Sequence, residues 1–193
     1  PVLPEELPIR EENTLRPANV YAATKTCQGM LGQLYAQAYG LNIISVRAFN
    51  HIGPKQSEAF VVSNFCQQVA RIEKGLQPPV LDVGNLSAKR DFTDVRDIVK
   101  GYVQLINQGL SGQVYNIGQG KAYTIDYILS RILSFSPTKV EIQVNPEKLR
   151  PVDVPLIVAD IQKINLNTGW KPEIELDTSL LDTLNYWRNT ITL

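Results

Sequence analysis

Tyr21 and Lys25 lie four residues apart in a segment whose pattern predicts a helix, and residues at this spacing are neighbours on one helix face. A lysine ammonium buried beside a phenol stabilises the phenolate, so the pair can exchange a proton near neutral pH. Such a pair can protonate a carbonyl oxygen while hydride is added to its carbon. Because the spacing is common on ordinary helices, a surface pair without a catalytic role is the alternative.

The elements that must position this pair alternate along the chain. The apolar pattern and the turn residues predict an α/β fold with a partly parallel sheet. Helices are predicted at 17–39, 59–74, 95–107, 125–134, 161–167 and 180–188, strands at 41–49, 80–83, 89–92, 114–117 and 140–144, and loops at 1–16 and 50–56. The first helix carries an apolar stripe of Val20, Cys27, Leu31, Leu34 and Ala38.

Composition excludes several functional classes. Among 193 residues, 19 Lys and Arg balance 19 Asp and Glu, so no global field favours nucleic acid or a membrane. No apolar run approaches the roughly 20 residues that span a bilayer. Cys27 and Cys66 lack metal-site spacing and are predicted to be small core residues of a cytoplasmic protein. We therefore expect no bound metal. The first residue is Pro1, and we expect the chain to be the later part of a longer protein.

A pyrophosphate-binding turn is the motif that hydride chemistry needs and that the sequence lacks. Nicotinamide dinucleotides bind a Gly-rich turn between a strand and a helix. Gly118 and Gly120 follow a predicted strand, but no third glycine follows at the required interval. We interpret this segment as a turn before a helix capped by Thr124. Either the redox interpretation is wrong, or the cofactor-binding half lies upstream of Pro1.

Seven motifs, in this order, decide between those possibilities. They are Arg16-Pro17, Tyr21-Ala-Ala-Thr-Lys25, Arg47-Ala-Phe-Asn50-His-Ile-Gly-Pro54, Gly84-Asn-Leu-Ser-Ala-Lys-Arg90-Asp-Phe-Thr-Asp-Val-Arg-Asp97, Tyr115-Asn-Ile-Gly118, Arg150-Pro-Val-Asp-Val-Pro155 and Gly169-Trp-Lys-Pro172. Over nearly the whole chain they resemble the extended short-chain dehydrogenase/reductase (NAD-dependent epimerase/dehydratase) family, in its nucleotide-sugar branch. The third, fourth and sixth motifs resemble enzymes of that branch that act on GDP-activated sugars.

The resemblance implies a domain organisation. Residues 1–56 would be the remainder of a Rossmann-like dinucleotide-binding domain, a parallel sheet whose N-terminal Gly-rich half is absent. Residues 57–193 would form mainly a small α/β substrate-binding region, interleaved with Rossmann segments at about 92–118. The family's Gly-rich loop and its catalytic Ser or Thr would both lie outside this chain. The family also implies a homodimer, formed through the tyrosine helix and its neighbour.

The resemblance further implies reduction of the C4 keto group of a GDP-4-keto-6-deoxyhexose by NADH or NADPH, giving a product such as GDP-D-rhamnose. Tyr21 would protonate the C4 oxygen. Lys25 would stabilise the phenolate and hydrogen-bond the nicotinamide ribose. Ala48 and His51 would line the cofactor pocket, with a structural role as the alternative for His51.

The remaining predicted site residues would bind the GDP-sugar. Arg90 and Arg150 would hold the pyrophosphate, because guanidinium groups match phosphate oxygens. Asn50 would bind the sugar or its phosphate, and Asp153 the ribose hydroxyls. Asn64 would contact the nucleotide, and Asn85 and Leu86 would border the guanine. A second charged set is expected to be structural, through capping and ion pairs: Arg47, Asp91, Asp94, Arg96 and Asp97.

Three alternatives stay open. GDP-mannose 4,6-dehydratases typically have Asn-His-Glu-Ser-Pro where this chain has 50–54, and they need a Glu in the upstream segment. A sugar 4-epimerase would carry a bulkier residue at Ala48. The third alternative is a non-catalytic module that only binds a nucleotide sugar.

Overall fold

The computed structural model describes residues 2–148 and 154–192. Within these ranges the chain alternates helices and strands, as the sequence predicts. The helices are α1 (Val20–Tyr39), α2 (Val61–Glu73), α3 (Val95–Gln108), α4 (Ile125–Ser134), α5 (Gln162–Thr168) and α6 (Leu176–Thr190). The strands are β1 (Ser45–Ala48), β2 (Asn50–Ile52), β3 (Val80–Val83), β4 (Lys89–Asp94), β5 (Val114–Ile117), β6 (Ala122–Thr124), β7 (Glu141–Val144) and β8 (Leu156–Ile157), with 3-10 turns at Pro4–Glu6 and Pro146–Lys148.

Most strand pairs are parallel, which confirms the predicted α/β class. β1 pairs with β5, β3 with β7, and β4 with both β2 and β8, all in parallel, whereas β6 runs antiparallel to β4. β4 therefore joins three neighbours, and its register sets Asn50 opposite Phe92 and Arg90 opposite Tyr123. Because ligands of open parallel sheets bind at the carboxyl ends of strands, we expect a site near the carboxyl ends of these parallel strands.

Two stretches predicted as loops contain paired backbone. Residues 50–52 form β2 because Ile52, only 2% exposed, packs into the core while its backbone pairs with Asp94. Within 1–16, Ile9 bridges Ala159, and the Glu11 carboxylate accepts a hydrogen bond from the backbone of Asn116 at 2.7 Å. Both arrangements depend on partners at least 40 residues away, so local patterning did not show them.

In the part of the chain that the structure describes, the core has two hydrophobic clusters. The larger one joins α2, α4 and α6 to β3 and β4 and includes the buried Cys66, as predicted. The smaller one joins α3, α5 and β5 around Trp170, and Ile44 and Val46 pack against it. Gly101 permits this packing, since a Cβ there would meet Ile117 and would lie 3.0 Å from Trp170 Nε1. The division at residue 56 stays a prediction.

Helix α1 differs from its prediction. It begins at Val20, because the Asn19 side chain caps it by accepting from the Ala22 backbone at 2.8 Å, and it ends at Gly40 in the left-handed region (φ 65°). None of its residues is buried. The apolar stripe therefore faces outward, and the prediction that Cys27 is a core residue was wrong: the thiol is exposed.

The carboxylates expected to be structural hold loops and helix ends in place. Asp94 caps α3 and binds Arg96 at 2.7 Å, and Asp97 accepts from the backbones of Glu173 and Ile174, both at 2.8 Å. Asp91 accepts from three backbone N–H groups, those of Gln119, Gly120 and Ala159, at 2.7, 3.0 and 3.1 Å. The turn at 118–120 thus binds a carboxylate of its own chain, as expected of a structural turn.

The ion pair between Arg188 and Glu73 offers a test of how α6 packs against α2. Arg188 holds Glu73 through two contacts of 2.7 Å, joining α6 to α2, and this lowers the pKa of the Glu73 carboxyl. A carboxyl whose pKa is lowered by folding stabilises the fold at pH values above its unfolded pKa of about 4.3. This stabilisation is lost as the pH falls through the lowered pKa of the folded state.

We therefore expect Glu73→Gln to lower the free energy of unfolding by about 1 kcal/mol at neutral pH. The difference from wild type should shrink once the pH falls below about 4. Urea unfolding across a pH series measures it, with the exposed Glu141→Gln as the control. A difference that stays constant down to acid pH would contradict the ion-pair account.

Candidate functional site

A cleft of about 500 Å³ opens where β2, the start of α2, and β3 and β4 meet the turn at Pro146–Lys148. Its wall is half polar, and it contains five of the residues predicted to bind substrate or cofactor: Asn50, His51, Asn64, Asn85 and Arg90. These residues come from β2, from α2, and from the stretch that joins β3 to the start of β4. The fold therefore assembles a single site from segments that the sequence shows only separately.

Strand β2 positions the first two of these side chains. Its parallel pairing with β4 aligns Asn50 with Phe92, and the Asn50 amide donates to the Asp91 carbonyl at 3.2 Å. His51 is exposed, and its Nδ1 lies 3.2 Å from the Phe49 carbonyl. Asn50 is also exposed and lines the cleft, so a ligand there can reach it.

Arg90, Asn64 and Asn85 approach the cleft from three other elements. Arg90 is half-buried on β4, and its Nη1 donates to the Lys89 carbonyl at 2.8 Å. Asn64 lies in the first turn of α2, where its Oδ1 accepts from Gln68 at 2.7 Å. Asn85 accepts from the backbone and hydroxyl of Ser87 at 3.0 and 2.8 Å, which shapes the turn after β3.

One of the predicted substrate residues lies away from the cleft. Leu86 does not line the cleft; it packs against the larger hydrophobic cluster, and its carbonyl accepts from the Asp126 backbone at 3.0 Å. Arg150 and Asp153 fall outside the described residues, so their roles stay predictions. Lys148, the last described residue before them, does line the cleft.

The sequence analysis missed several residues of the wall. Phe60, 57% exposed, stands at the mouth of the cleft just before α2, and Gln56, Glu58, Asp82 and Lys148 contribute polar groups. None of these five residues belongs to a recognised sequence motif. Only the alternation of strand β3, which turns Asp82 away from the buried Leu81 and Val83, carried any signal.

The charges in the cleft are balanced. Among the described lining residues, the cations Arg90 and Lys148 face the carboxylates Glu58 and Asp82. The Asn145 amide and the Lys148 ammonium hydrogen-bond the Asp82 carboxylate and lower its pKa, so this group stays ionised at neutral pH. Arg90 is thus the cation with the fixed planar geometry that suits a phosphate.

Tyr21 and Lys25 stand apart from these residues. Tyr21 is 70% exposed, Lys25 is also exposed, and the ammonium lies 5.8 Å from the centre of the phenol ring. Lys25 Nζ donates to Gln28 Oε1 at 3.1 Å. The Lys25 ammonium is thus not buried in this chain, in keeping with the rest of α1. Neither residue lines the cleft, nor does Ala48, which is exposed at the end of β1.

Two other features are absent from the described residues. No described helix is long and apolar enough to cross a membrane. Over 2–148 and 154–192, no group of three or more His, Cys, Asp or Glu side chains is arranged to hold a metal ion.

Known proteins resemble the chain in both sequence and structure. The sequence model of the GDP-mannose 4,6 dehydratase family matches residues 3–183. GDP-6-deoxy-D-mannose reductase from Pseudomonas aeruginosa is 33% identical over 185 residues, which cover 96% of this chain and 61% of that protein. GDP-mannose 4,6-dehydratase from Sinorhizobium fredii is 28% identical, over 97% of this chain and 60% of that protein.

The structural similarity extends over the same part of the relatives. The structure of RMD from Pseudomonas aeruginosa complexed with NADPH has a TM-score of 0.94 at 32% identity, covering 98% of this chain and 63% of that one. UDP-glucose 4-epimerase from Thermus thermophilus in complex with NAD has a TM-score of 0.84 at 26% identity, covering 98% and 60%. The chain thus spans about three fifths of the length of these relatives.

Proposed function

The chain belongs to the GDP-mannose 4,6-dehydratase family, and from this premise we propose that the full-length protein reduces the C4 keto group of a GDP-4-keto-6-deoxyhexose with NADH or NADPH. The observation that carries the proposal is the cleft in which Asn50, Asn64, Asn85 and Arg90 converge. Its volume suits a nucleotide sugar, and its amides and guanidinium suit hydroxyls and phosphate. The similarity to GDP-6-deoxy-D-mannose reductase supports the choice of substrate.

The residues present fit the nicotinamide end of such a cofactor. Tyr21 and Lys25 stand exposed on one face of α1, and Ala48 and His51 are exposed near the carboxyl ends of β1 and β2, where ligands of parallel sheets bind. The sequence holds no Gly-rich turn for the pyrophosphate, so this chain supplies only part of the cofactor site. Relatives of known structure hold NADPH or NAD.

In the proposed mechanism the chain binds the sugar and moves one proton. Arg90 binds the diphosphate, and the exposed amide of Asn50 orients the sugar or its phosphate. A reduced nicotinamide, when bound, supplies the hydride that C4 receives. Tyr21 Oη donates its proton to the C4 oxygen, and the Lys25 ammonium stabilises the phenolate that remains. Lys25 would also hold the nicotinamide ribose.

A 4,6-dehydratase is the second candidate, since the family model and the Sinorhizobium relative carry that name. The geometry at 52–53 favours the reductase. Ile52 is part of the larger core cluster, and a Cβ at Gly53 would lie 2.7 Å from Val95 Cγ1. The Glu-Ser pair that dehydratases typically have at these positions would place a carboxylate in the core and a side chain against Val95.

Net consumption of cofactor separates the two candidates. Given GDP-4-keto-6-deoxy-D-mannose, the full-length protein should oxidise one NADH or NADPH per sugar, with GDP-D-rhamnose as the product we propose. A dehydratase returns its hydride to the sugar and consumes no external cofactor. Conversion of GDP-mannose to a keto sugar without loss of nicotinamide absorbance would contradict the reductase proposal.

We also propose that the full-length protein is a homodimer in the cytoplasm, as the resemblance implies. The exposed apolar side chains of α1, among them Met30, Leu31 and Leu34, offer the surface that such a contact needs. Light scattering of the purified protein measures the mass directly.

A further inference from the structure

Asp82 and Lys148 form an ion pair in the wall of the cleft that the proposed mechanism does not use. Lys148 Nζ lies 3.1 Å from Asp82 Oδ2 and donates to the Asp82 carbonyl at 2.9 Å. The Asn145 amide donates to the same Oδ2 at 3.1 Å. Among the described residues these contacts reach only Oδ2 of the carboxylate. Both side chains are about two fifths exposed, so a ligand in the cleft can reach them.

The backbone fixes where this pair stands. β3 and β7 run in parallel, and directly after them the Asn145 backbone donates to the Val83 carbonyl at 2.8 Å. The turn then passes so close to Gly84 that a Cβ there would lie 2.9 Å from the Lys148 carbonyl oxygen. The pair therefore lies beside Gly84 and Asn85, at the end of β3.

The net charge of the Asp82–Lys148 pair determines which group of a ligand it can bind. A diphosphate needs an excess of positive charge, and a carboxylate beside it would be repulsive. The ammonium of Lys148 is already neutralised by Asp82, so the two together present no net charge. They do present a hydrogen-bond donor next to an acceptor. This pattern suits an uncharged group that offers an acceptor beside its own donors.

Among nucleobases this requirement is selective. Guanine presents O6 as an acceptor, followed by N1–H and the N2 amine as donors. Adenine and cytosine present the opposite order, and uracil lacks the second donor. We propose that Asp82 and Lys148 recognise the base of the bound nucleotide as guanine, with Lys148 donating to O6 and the carboxylate accepting from N1–H and the N2 amine. This inference rests on the proposed function, in which the cleft holds a nucleoside diphosphate sugar.

Calorimetry of the full-length protein with three nucleotides tests the assignment. Inosine diphosphate lacks the N2 amine, and wild type should bind it about tenfold more weakly than GDP. Xanthosine diphosphate has a carbonyl oxygen at C2 in place of the amine. Asp82→Asn puts an N–H donor opposite that oxygen, so this variant should weaken GDP about tenfold and bind xanthosine diphosphate at least as tightly as GDP.

Asp177→Asn is the matched control, because Asp177 is an aspartate of similar exposure, ion-paired with Arg131 and absent from the cleft wall. It should keep the wild-type preference. Misfolding cannot produce a gain of affinity for xanthosine diphosphate. Equal binding of GDP and inosine diphosphate by wild type, or an unchanged preference in Asp82→Asn, would overturn the assignment.

Lys148→Met separates base recognition from phosphate binding, with the exposed Lys139→Met as its control. Lys148→Met should lose affinity for guanosine and for GDP by the same factor. A loss confined to GDP would place the lysine on the phosphates and overturn the assignment. A wild-type protein that binds no nucleoside diphosphate would overturn this inference and the proposed function together. GDP binding with the expected base preference but without sugar reduction would contradict the proposed function alone.

Discussion

Replacing Tyr21 by phenylalanine is expected to lower the turnover number of the full-length protein by about a hundredfold to ten-thousandfold, the range typical of losing a general acid. The change removes a single hydroxyl from a side chain that is 70% exposed, so the fold should be unaffected. Affinity for GDP should also be unchanged, because Tyr21 lies outside the cleft wall. Steady-state kinetics together with GDP calorimetry measure both quantities.

The same helix supplies the control for this substitution. Tyr39 lies at the other end of α1 and is 69% exposed, so Tyr39→Phe makes the same chemical change at a similarly exposed position outside the site. It should retain wild-type turnover. If Tyr21→Phe also keeps wild-type turnover, Tyr21 is not the proton donor, and the mechanism proposed here is wrong.

Replacing Arg90 by alanine is expected to weaken GDP binding by about tenfold to a hundredfold, because a guanidinium that binds phosphate through two hydrogen bonds is removed. The GDP affinity of Arg90→Lys should fall between those of wild type and Arg90→Ala, since lysine keeps the charge and lacks the planar fork. The exposed Arg71→Ala on α2, outside the cleft, controls for loss of surface charge. Unchanged GDP affinity in a correctly folded Arg90→Ala protein would remove Arg90 from the phosphate site.

Local signals in the sequence were sufficient for most helix ends and for part of the site. The caps at Asp94 and Thr124 and the stop at Gly40 lie where their side chains or backbone freedom predict them. Asn50, Asn85 and Arg90 are predicted from motifs and Asn64 from its place at the start of α2, and the fold brings them to one cleft. Their convergence depends on pairing between distant segments, such as that of β2 with β4, which sets Asn50 opposite Phe92, two residues from Arg90.

Features that depend on distant partners could not be predicted. The pairing of β2 with β4 joins residues about 40 apart, and the contact between Asp82 and Lys148 spans 66 residues. Phe60 enters the cleft wall through the position of α2, although nothing in its neighbourhood marks it as a site residue. The apolar stripe of α1 has the pattern of a buried helix face, yet Val20, Leu31 and Leu34 are all more than half exposed.

The position of the transferred hydride tests the central claim most directly. The full-length protein would be given GDP-4-keto-6-deoxy-D-mannose and NADH or NADPH deuterated at nicotinamide C4, and the sugar product would be analysed by NMR. The reductase account predicts deuterium at C4 of a GDP-6-deoxyhexose, with one cofactor oxidised per sugar. A product that carries no deuterium, whether epimerised or dehydrated, would contradict it.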